Sequence, residues 1–394
     1  MSVEAMKKAV CDHVDALGNL LLDVSHRIHA NPELAFEEVH AAAALCEAIE
    51  SEGHSVERGA WGLATAFDAT VLPGPGPTLA FLSEYDALPD IGHACGHNII
   101  ATASLGAALA LGRLGTTLPA TVRLIGTPAE ERGGGKEIMA RNGAFEGVDL
   151  AMMVHPAGYD LATMPCICIA EVEVAYHGKP AHASAMPHDG INALDALITA
   201  YQAIAQLRQH IRQTERLHGI ITHGGGAPNI VPDFAAGRFY VRAAEAVSLE
   251  VLKRRVEGCF RAGAEATGAR LELTWGAVDY LDLRTNWPLA RAYQANAESL
   301  GRVFRPMESL PPGMAGSTDM GNVSHRVPSI HPMIAAAPAH CVIHHPEFAR
   351  WSGSELGDKA VLDGAKALAM TAVDYVLDQA LRERVADNFA KVAA

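Results

Sequence analysis

The sequence has few of the features that mark membrane or secreted proteins. Its longest apolar stretch, Ile99 to Gly112, is interrupted by Thr102 and Ser104 and is shorter than the roughly 20 residues that span a bilayer. The 7 cysteines are irregularly spaced and include no CxxC pair, so they do not form a disulfide framework. The N-terminus lacks the apolar core and cleavage site of a signal peptide. We therefore expect a cytoplasmic protein without a membrane partner.

Positive charge is also scarce. The chain has 31 Lys and Arg residues against 45 Asp and Glu, which gives a net charge of −14. Nucleic-acid binding depends on clustered Lys and Arg, so we expect no nucleic-acid partner. Hydrophobic residues make up 49% of the chain, which is enough for a core and excludes a largely disordered protein. A length of 394 residues suggests two or three domains at roughly 150 residues each.

The hydrophobic pattern predicts an α/β domain with a smaller α+β domain inserted in it. Before residue 169, continuous apolar strands alternate with helices, and each polar cluster follows a strand. This predicts a mixed sheet flanked by helices, with its site at the carboxyl ends of the strands. From 169 to 282 the strands alternate apolar and polar residues in the order β-α-β-β-α-β, as in a ferredoxin-like domain. We expect domains at 1–168 with 283–394, and at 169–282.

Four places at strand ends combine side chains that can bind a metal. They are His93-Ala-Cys95-Gly-His97, Glu130-Glu131, His155-Pro156 and His344-His345-Pro346. Thiolate, imidazole and carboxylate ligands together suit zinc or a similar divalent ion. Taken singly, each has an ordinary explanation, since a Cys near a His is usually a core residue and a Glu pair usually lies on the surface. Their joint occurrence on loops after apolar strands predicts a metal site.

Seven short motifs extend over nearly the whole chain. They are HRIHANPELAFEE near the start, DALP at 86–89, HACGH at 93–97, PAEE at 128–131, GKPAHAS at 178–184, NIVPD at 229–233 and HHPEF at 344–348. Their types and order resemble the dinuclear metallopeptidase and amidohydrolase family of aminoacylases, hippurate hydrolases and indole-3-acetyl-amino-acid hydrolases, metallopeptidase family twenty. EYDALP and GSTDMGNVS are most similar to the branch with p-aminobenzoyl-glutamate hydrolase and β-alanyl-lysine dipeptidase.

The resemblance implies hydrolysis of the amide bond of N-acyl amino acids or dipeptide-like small molecules. A dipeptidase for β-alanyl or basic dipeptides is the main alternative within this class. The implied cofactors are two divalent ions per chain, either zinc or manganese. Their implied ligands are a bridging Cys95, with His97 and His155 on one ion and Glu131 and His344 on the other. His344 is favoured over its neighbour because the family's ligand lies two residues before the Pro position.

Two further carboxylates have roles that the resemblance implies. Glu130 matches the general base and Asp86 matches a catalytic carboxylate near the metals, while Glu84 stands where this branch often has Asp. The chemistry agrees with the first role. Two divalent ions lower the pKa of a water between them towards about 7. Because Glu130 adjoins a ligand, it can take the proton of that water and pass it to the leaving amine.

His182 is a candidate catalytic residue of the inserted domain. A lone His is usually exposed to solvent, but the matching His of the resembling family comes from the partner subunit and helps to bind the tetrahedral oxyanion. The resemblance also implies that the inserted domain is a lid and makes the homodimer. A small β-α-β-β-α-β sheet has an edge strand that can pair with a second copy.

The remaining candidates are substrate-binding residues. Asn229 and Arg242 match positions that face the substrate, and a guanidinium suits a free carboxylate. Arg242 could equally form an ion pair on a strand surface. Ser317, Thr318 and Asp319 resemble a family loop that lines the cleft. The histidines outside these motifs are expected at the surface.

Other classes of protein fit the sequence less well. His223-Gly-Gly-Gly226 resembles the oxyanion loop of serine esterases, but the GxSxG elbow of that class is absent. The HExxH motif of one-zinc proteases is absent as well. A non-catalytic metal-binding protein is the alternative from a different class, and it would be expected to lack a general base, whereas Glu130 is present.

Overall fold

The chain divides into two compact units. In this computed structural model, residues 1–310 and 315–393 are described. The first unit comprises Met1–Pro165 with Leu283–Ala394, and the second comprises Cys166–Asp282. The second unit has a hydrophobic cluster made only of its own residues.

Helices and strands alternate along most of the chain. The helices are α1 (Val3–Ala30), α2 (Val39–Ser51), α3 (His97–Gly112), α4 (Gly135–Arg141), α5 (Ala193–Leu207), α6 (Ala246–Thr267), α7 (Trp287–Ser299), α8 (Met320–Ser324), α9 (Pro346–Ser352), α10 (Glu355–Leu377) and α11 (Gln379–Ala393). The strands are β1 (Glu57–Arg58), β2 (Phe67–Leu72), β3 (Thr78–Glu84), β4 (Thr121–Thr127), β5 (Leu150–Met152), β6 (His155–Ala157), β7 (Cys168–His177), β8 (Arg216–His223), β9 (Phe234–Ala243), β10 (Arg270–Trp275), β11 (Ser329–Ile330) and β12 (Met333–Ala335). Among the described residues, we find no helix with the combined length and apolar character that crossing a bilayer requires.

The first unit is built on a six-stranded mixed sheet of order β1-β2-β4-β3-β5-β11. Strands β4, β3, β5 and β11 run parallel, whereas β2 is antiparallel to both β1 and β4. A separate parallel pair joins β6 to β12. Helix α3 packs on β3 and is contacted by α1 and α10. These findings confirm the predicted mixed sheet flanked by helices.

Helices α1 and α3 follow directly from their side chains. In α1 the apolar residues at helical spacing are buried, and the Ser2 hydroxyl accepts a hydrogen bond from the Ala5 backbone N–H at the N-terminus. Helix α3 is buried from His97 to Leu111, so it has no polar face and lies inside the unit. Its first residue is His97, earlier than the apolar stretch from Ile99 predicts.

The end of the chain differs from the expectation of one long C-terminal helix. The structure has two helices there, α10 and α11, separated at Asp378. Asp378 has an extended backbone, with φ −96° and ψ 99°, so it cannot continue α10. Its carboxylate then accepts a hydrogen bond from the Leu381 backbone N–H in the first turn of α11.

The second unit is an antiparallel sheet of order β10-β7-β9-β8 with two helices. Along the chain its elements run β7-α5-β8-β9-α6-β10, the order that the sequence predicts. Helices α5 and α6 pack on each other and on β7 and β9, and the core between them is apolar. Strand β8 lies at an edge of the sheet, where Ile220 and Ile221 are exposed.

Candidate metal centre

A left-handed glycine separates the first two candidate ligands. Gly96 has φ +81°, and a Cβ at this position would lie 2.6 Å from Pro156 Cγ, so a larger residue does not fit. Helix α3 begins at the next residue, His97. The turn therefore places Cys95 and His97 on either side of the N-terminus of one helix, and both are buried.

The Glu130-Glu131 pair lies in a constrained loop after β4. Ala129 has φ +62°, an uncommon conformation for a residue with a side chain. Its N–H donates to Glu38 Oε1 at 2.8 Å, and Glu38 is fully buried. Burial raises the pKa of Glu38, although hydrogen bonds, including one from the Thr65 hydroxyl, oppose this. Sequence reasoning missed Glu38, although it lies in the HRIHANPELAFEE motif.

The five predicted ligands come together in two groups that share one thiol. Cys95, His97 and His155 form one group, and Cys95, Glu131 and His344 form the other, with the ligand atoms of each group within 4.8 Å of one another. Cys95 Sγ lies 3.3 Å from His155 Nε2. A thiolate common to two groups has the position that bridging two ions requires.

Hydrogen bonds at the outer nitrogens orient both imidazoles. His97 Nδ1 lies 3.1 Å from Asp86 Oδ1, and His155 Nδ1 lies 2.8 Å from the Pro156 carbonyl oxygen. The other oxygen of Asp86 accepts a hydrogen bond from the Glu131 N–H at 2.9 Å. Carboxylate and carbonyl partners of this kind fix the rings of metal-binding histidines and leave Nε2 to the metal.

Two buried atoms of the centre fit a metal ion. His97 Nε2 and Glu131 Oε1 form no hydrogen bond to any residue in the described ranges. An unpaired buried polar atom costs free energy, so native structures rarely keep one without a function. Here each belongs to a group of candidate ligand atoms, and a divalent cation would satisfy both.

The electrostatics of the centre also favour a cation. Burial alone would lower the pKa of His97, but the negative groups around it, chiefly Glu84, raise it well above its usual value. Burial raises the pKa of the Cys95 thiol well above its usual range, and Glu131 raises it further. A nearby divalent ion reverses this preference and holds the thiol as thiolate.

The candidate general base is a buried carboxyl. Glu130 is 7% exposed, and burial followed by the negative charges of Glu84 and Glu131 raises its pKa well above the usual value. A carboxyl group with a raised pKa can both accept and return a proton near neutral pH. Its neighbour Glu131 has a lowered pKa, because His344 and His97 outweigh the opposite effect of burial.

The two adjacent histidines near the C-terminus have different surroundings. His344 has φ +62°, and its N–H donates to the Ala94 carbonyl oxygen at 2.9 Å. This backbone path brings His344 Nε2 to 3.4 Å from Glu131 Oε1. His345 instead accepts a hydrogen bond from the Glu347 N–H at the start of α9.

A buried lysine lies beside the candidate ligands. Lys136 pairs with Glu84 and with Asp319, and all three side chains are at most 1% exposed. Burial would lower the pKa of Lys136, but Asp319 and Glu84 raise it above the usual value. Thr318, in the same loop as Asp319, is buried, and its hydroxyl accepts from the Met320 N–H. Ser317 is half-buried.

The expectation of surface histidines is wrong for His331. This residue lies between β11 and β12, is fully buried, and has its ring 5.4 Å from the His155 ring. Neither of its ring nitrogens bonds to a residue that the structure describes, and burial lowers its pKa well below the usual value. It is buried because the segment joins two buried strands, which no local polar pattern reveals.

The second unit holds the other predicted residues. His182 is exposed, and its Nδ1 accepts a hydrogen bond from the Ala185 N–H at 3.2 Å. Asn229 is exposed beside it, and its carbonyl oxygen accepts from the Ala183 N–H. Arg242 is half-buried in β9, and its Nε lies 3.3 Å from His218 Nε2.

Comparison with known proteins identifies the family of the chain. Residues 64–373 match the model of peptidase family M20/M25/M40. Xaa-Arg dipeptidase from Mus musculus is 40% identical over 98% of this chain and 93% of its own length. One of the polypeptides of the p-aminobenzoyl-glutamate hydrolase of Escherichia coli is 28% identical over 96% of this chain and 94% of its own length.

Solved structures of similar fold agree with this match. The YXEP protein of Bacillus subtilis, a dinuclear metal binding peptidase, aligns with TM-score 0.71 and 22% identity over 92% of this chain and 99% of that one. An aminobenzoyl-glutamate utilization protein from Klebsiella pneumoniae aligns with TM-score 0.73 and 19% identity over 93% and 98%. At such identities the likeness shows the fold alone. The match of the family model over most of the chain goes further: this protein belongs to peptidase family M20/M25/M40 and is a metal-dependent hydrolase of amide bonds.

Proposed function

We propose that this protein is a two-metal dipeptidase that releases a basic amino acid from the carboxyl end of its substrate. The observation that carries the two-metal part is the pair of candidate ligand groups that share Cys95. The substrate class is supported by two relatives named Xaa-Arg dipeptidase, which are 40% and 39% identical over 98% of this chain. Hydrolysis of N-acyl amino acids is the alternative that the more distant p-aminobenzoyl-glutamate hydrolase supports.

In this proposal Cys95 bridges two zinc or manganese ions. His97 and His155 complete the protein ligands of one ion, and Glu131 and His344 complete those of the other. When bound, such ions polarise the scissile carbonyl and lower the pKa of the attacking water. Zinc and manganese both accept these ligands, so the ion that binds in the cell follows metal availability.

The side chains of this centre then orient groups and move one proton. Glu130 takes a proton from the attacking water and delivers it to the leaving amine, as its raised pKa allows. Asp86 accepts from His97 Nδ1 and from the Glu131 N–H, so it fixes two ligands at once. Asp86 therefore acts on the ligands rather than on the reacting atoms.

The second unit supplies substrate-binding groups in this proposal. Arg242 binds the free carboxylate of the substrate, and Asn229 binds its backbone, together with Ser317 and Thr318 of the first unit. Two copies pair through the second unit, and His182 of one copy stabilises the oxyanion formed in the other. The exposed Ile220 and Ile221 on edge strand β8 support such a pairing. A cytoplasmic location stays a prediction from the sequence.

A substrate screen tests this function. The protein is treated with chelator, reloaded with zinc or manganese, and assayed on dipeptides that end in Arg, Lys, Leu or Glu, on N-acyl amino acids and on p-aminobenzoyl-glutamate. We expect activity only after reloading, with the highest kcat/KM for dipeptides that end in Arg or Lys. A preference for p-aminobenzoyl-glutamate or N-acyl amino acids contradicts the dipeptidase proposal. Unchanged activity after complete metal removal contradicts the metal centre.

A further inference from the structure

Three charged side chains form a fully buried group at the edge of the metal centre. Lys136 Nζ lies 2.7 Å from Asp319 Oδ1 and also pairs with Glu84 Oε2. The Lys136 backbone N–H donates to the second oxygen of Asp319 at 2.8 Å. Asp319 therefore holds Lys136 at two atoms, and Lys136 in turn holds one oxygen of Glu84.

The other oxygen of Glu84 faces a candidate metal ligand. Glu84 Oε1 lies 3.0 Å from His97 Nε2. This nitrogen forms no hydrogen bond to any described residue, and Asp86 occupies the opposite side of the ring at Nδ1. The short approach therefore lacks the geometry of a hydrogen bond. Two potential ligand atoms instead lie side by side, as they do when both bind one cation.

A third atom completes this arrangement. Glu84, His97 and Glu130 each offer an atom within 4.8 Å of the others, and all three residues are buried. Two carboxylates held this close in a buried site repel each other, so their burial costs free energy unless a cation lies between them. Lys136 neutralises only the side of Glu84 that faces away from His97.

We propose that Glu84 is a further protein ligand of the ion that His97 holds, and that Lys136 and Asp319 are positioning residues that fix its carboxylate. This inference rests on the two-metal centre proposed above. It adds a carboxylate ligand that the five matched ligands do not include. It also explains the buried lysine, since a carboxylate with one oxygen anchored keeps the other directed at the ion.

The alternative is that the three residues are a structural ion group with no contact to metal. A structural group needs only the oxygen of Glu84 that faces Lys136. A ligand needs the oxygen that faces His97. Glu84→Asp separates the two, because the shortened carboxylate keeps its charge and its pairing with Lys136 but withdraws from His97.

Metal binding is the readout. The full-length variants Glu84→Gln and Glu84→Asp are treated with chelator and titrated with Co²⁺ and Zn²⁺. Loss of an outer partner of a ligand typically weakens metal affinity by about 10–100-fold, and we expect both variants to weaken one of the two ions by at least that much. The ligand-field absorption of Co²⁺ changes as well, because it depends on the number and geometry of ligands.

The role of Lys136 is tested through Glu84. Lys136→Met removes the charge at similar length and is expected to weaken the same ion by about 10–100-fold. In the Glu84→Gln background the same substitution is expected to have little further effect, because the carboxylate that it positions is gone. An equal loss in both backgrounds overturns the positioning role.

Asp160→Asn is the matched control. Asp160 is also a buried carboxylate of the first unit, but it accepts from the Ala335 N–H and pairs with Arg302 instead of the candidate ligands. It is expected to bind two ions with wild-type affinity. If Lys136→Met does not fold, as judged by circular dichroism, the two Glu84 variants still test the ligand.

Three outcomes overturn the ligand assignment: wild-type affinity in Glu84→Gln, wild-type affinity in Glu84→Asp, or an unchanged Co²⁺ spectrum in both. They are distinct from failure of the proposed function. Absence of metal binding in the wild-type protein contradicts the two-metal centre itself. Two ions bound equally by wild type and Glu84→Gln contradict only the role of Glu84.

Discussion

The two units of the chain treat ionisable side chains in opposite ways. The first unit buries a cluster of them around the candidate metal centre: Glu84, Asp86, His97, Glu130, Lys136, His155 and Asp319. The second unit, all of whose residues are described, has Glu215 as its single buried polar or charged side chain. Its functional candidates His182 and Asn229 are exposed. The first unit thus builds chemistry into its core, whereas the second presents groups at its surface.

This difference has an energetic consequence. Buried charges cost free energy unless they are paired, and the first unit also holds the buried atoms that lack a hydrogen bond among the described residues, such as His97 Nε2. A bound ion offsets this cost, so the stability of the first unit should depend on metal. The apolar core of the second unit has no such dependence.

The largest effect should come from the general base in the first unit. Glu130→Gln is expected to keep both ions but lower kcat by about 10²–10⁴-fold, because a general acid–base group is lost. Metal content by elemental analysis and steady-state kinetics check this. Glu131→Gln is the comparison variant and should lose metal as well as activity. If metal is lost from Glu130→Gln and kept in Glu131→Gln, the two roles are reversed.

The second unit should matter only through the assembly. His182→Ala is expected to lower kcat by about 10²–10³-fold, the usual cost of one oxyanion donor. A mixed dimer of His182→Ala with Glu130→Gln has one intact site, because the first chain keeps Glu130 and receives His182 from the second. Co-expression should therefore restore far more activity than either parent has. Mixed dimers without recovered activity would place His182 within its own chain or outside the reaction.

Metal removal should separate the units directly. At an ion concentration about 100 times Kd, binding stabilises a folded unit by about 2.7 kcal/mol. We expect chelation to reduce amide hydrogen-exchange protection in β4 by up to about 100-fold and to leave β7 and β9 unchanged. Asp160→Asn, with both ions, is the control. An equal loss of protection in both units would mean that their stabilities are not separate.

Local patterns explain which parts of the centre the sequence predicts. Cys95 and His97 are two residues apart, and Glu130 and Glu131 are adjacent, so each pair is visible as a motif. The order of strands and helices is equally visible, because burial repeats with the period of each element. The start of α3 is predicted too late because the helix begins at a turn set by Gly96, ahead of the apolar repeat.

Long-range pairing explains what the sequence does not predict. Lys136 and Asp319 are 183 residues apart, and neither lies in a pattern that names the other as a partner. His331 is buried by two strands that pair with distant segments of the chain. A charged or polar residue with a distant partner looks like a surface residue until the fold is known, because its compensation is not local.

The smallest effect concerns a charge that the first unit pairs outside the ligand set. Burial raises the pKa of Glu137, but hydrogen bonds from Arg326 and Asn322 outweigh this, so its pKa is lowered. A lowered carboxyl pKa contributes stability above the unfolded value, about 4.3, that is lost as pH falls through the folded value. Glu137→Gln should therefore cost about 1–2 kcal/mol of unfolding free energy at pH 7 and pH 5, and less below pH 4. Urea unfolding measures this, with the exposed Glu146→Gln as control. A cost that stays constant down to pH 3.5 would show that the charge of Glu137 is not the source.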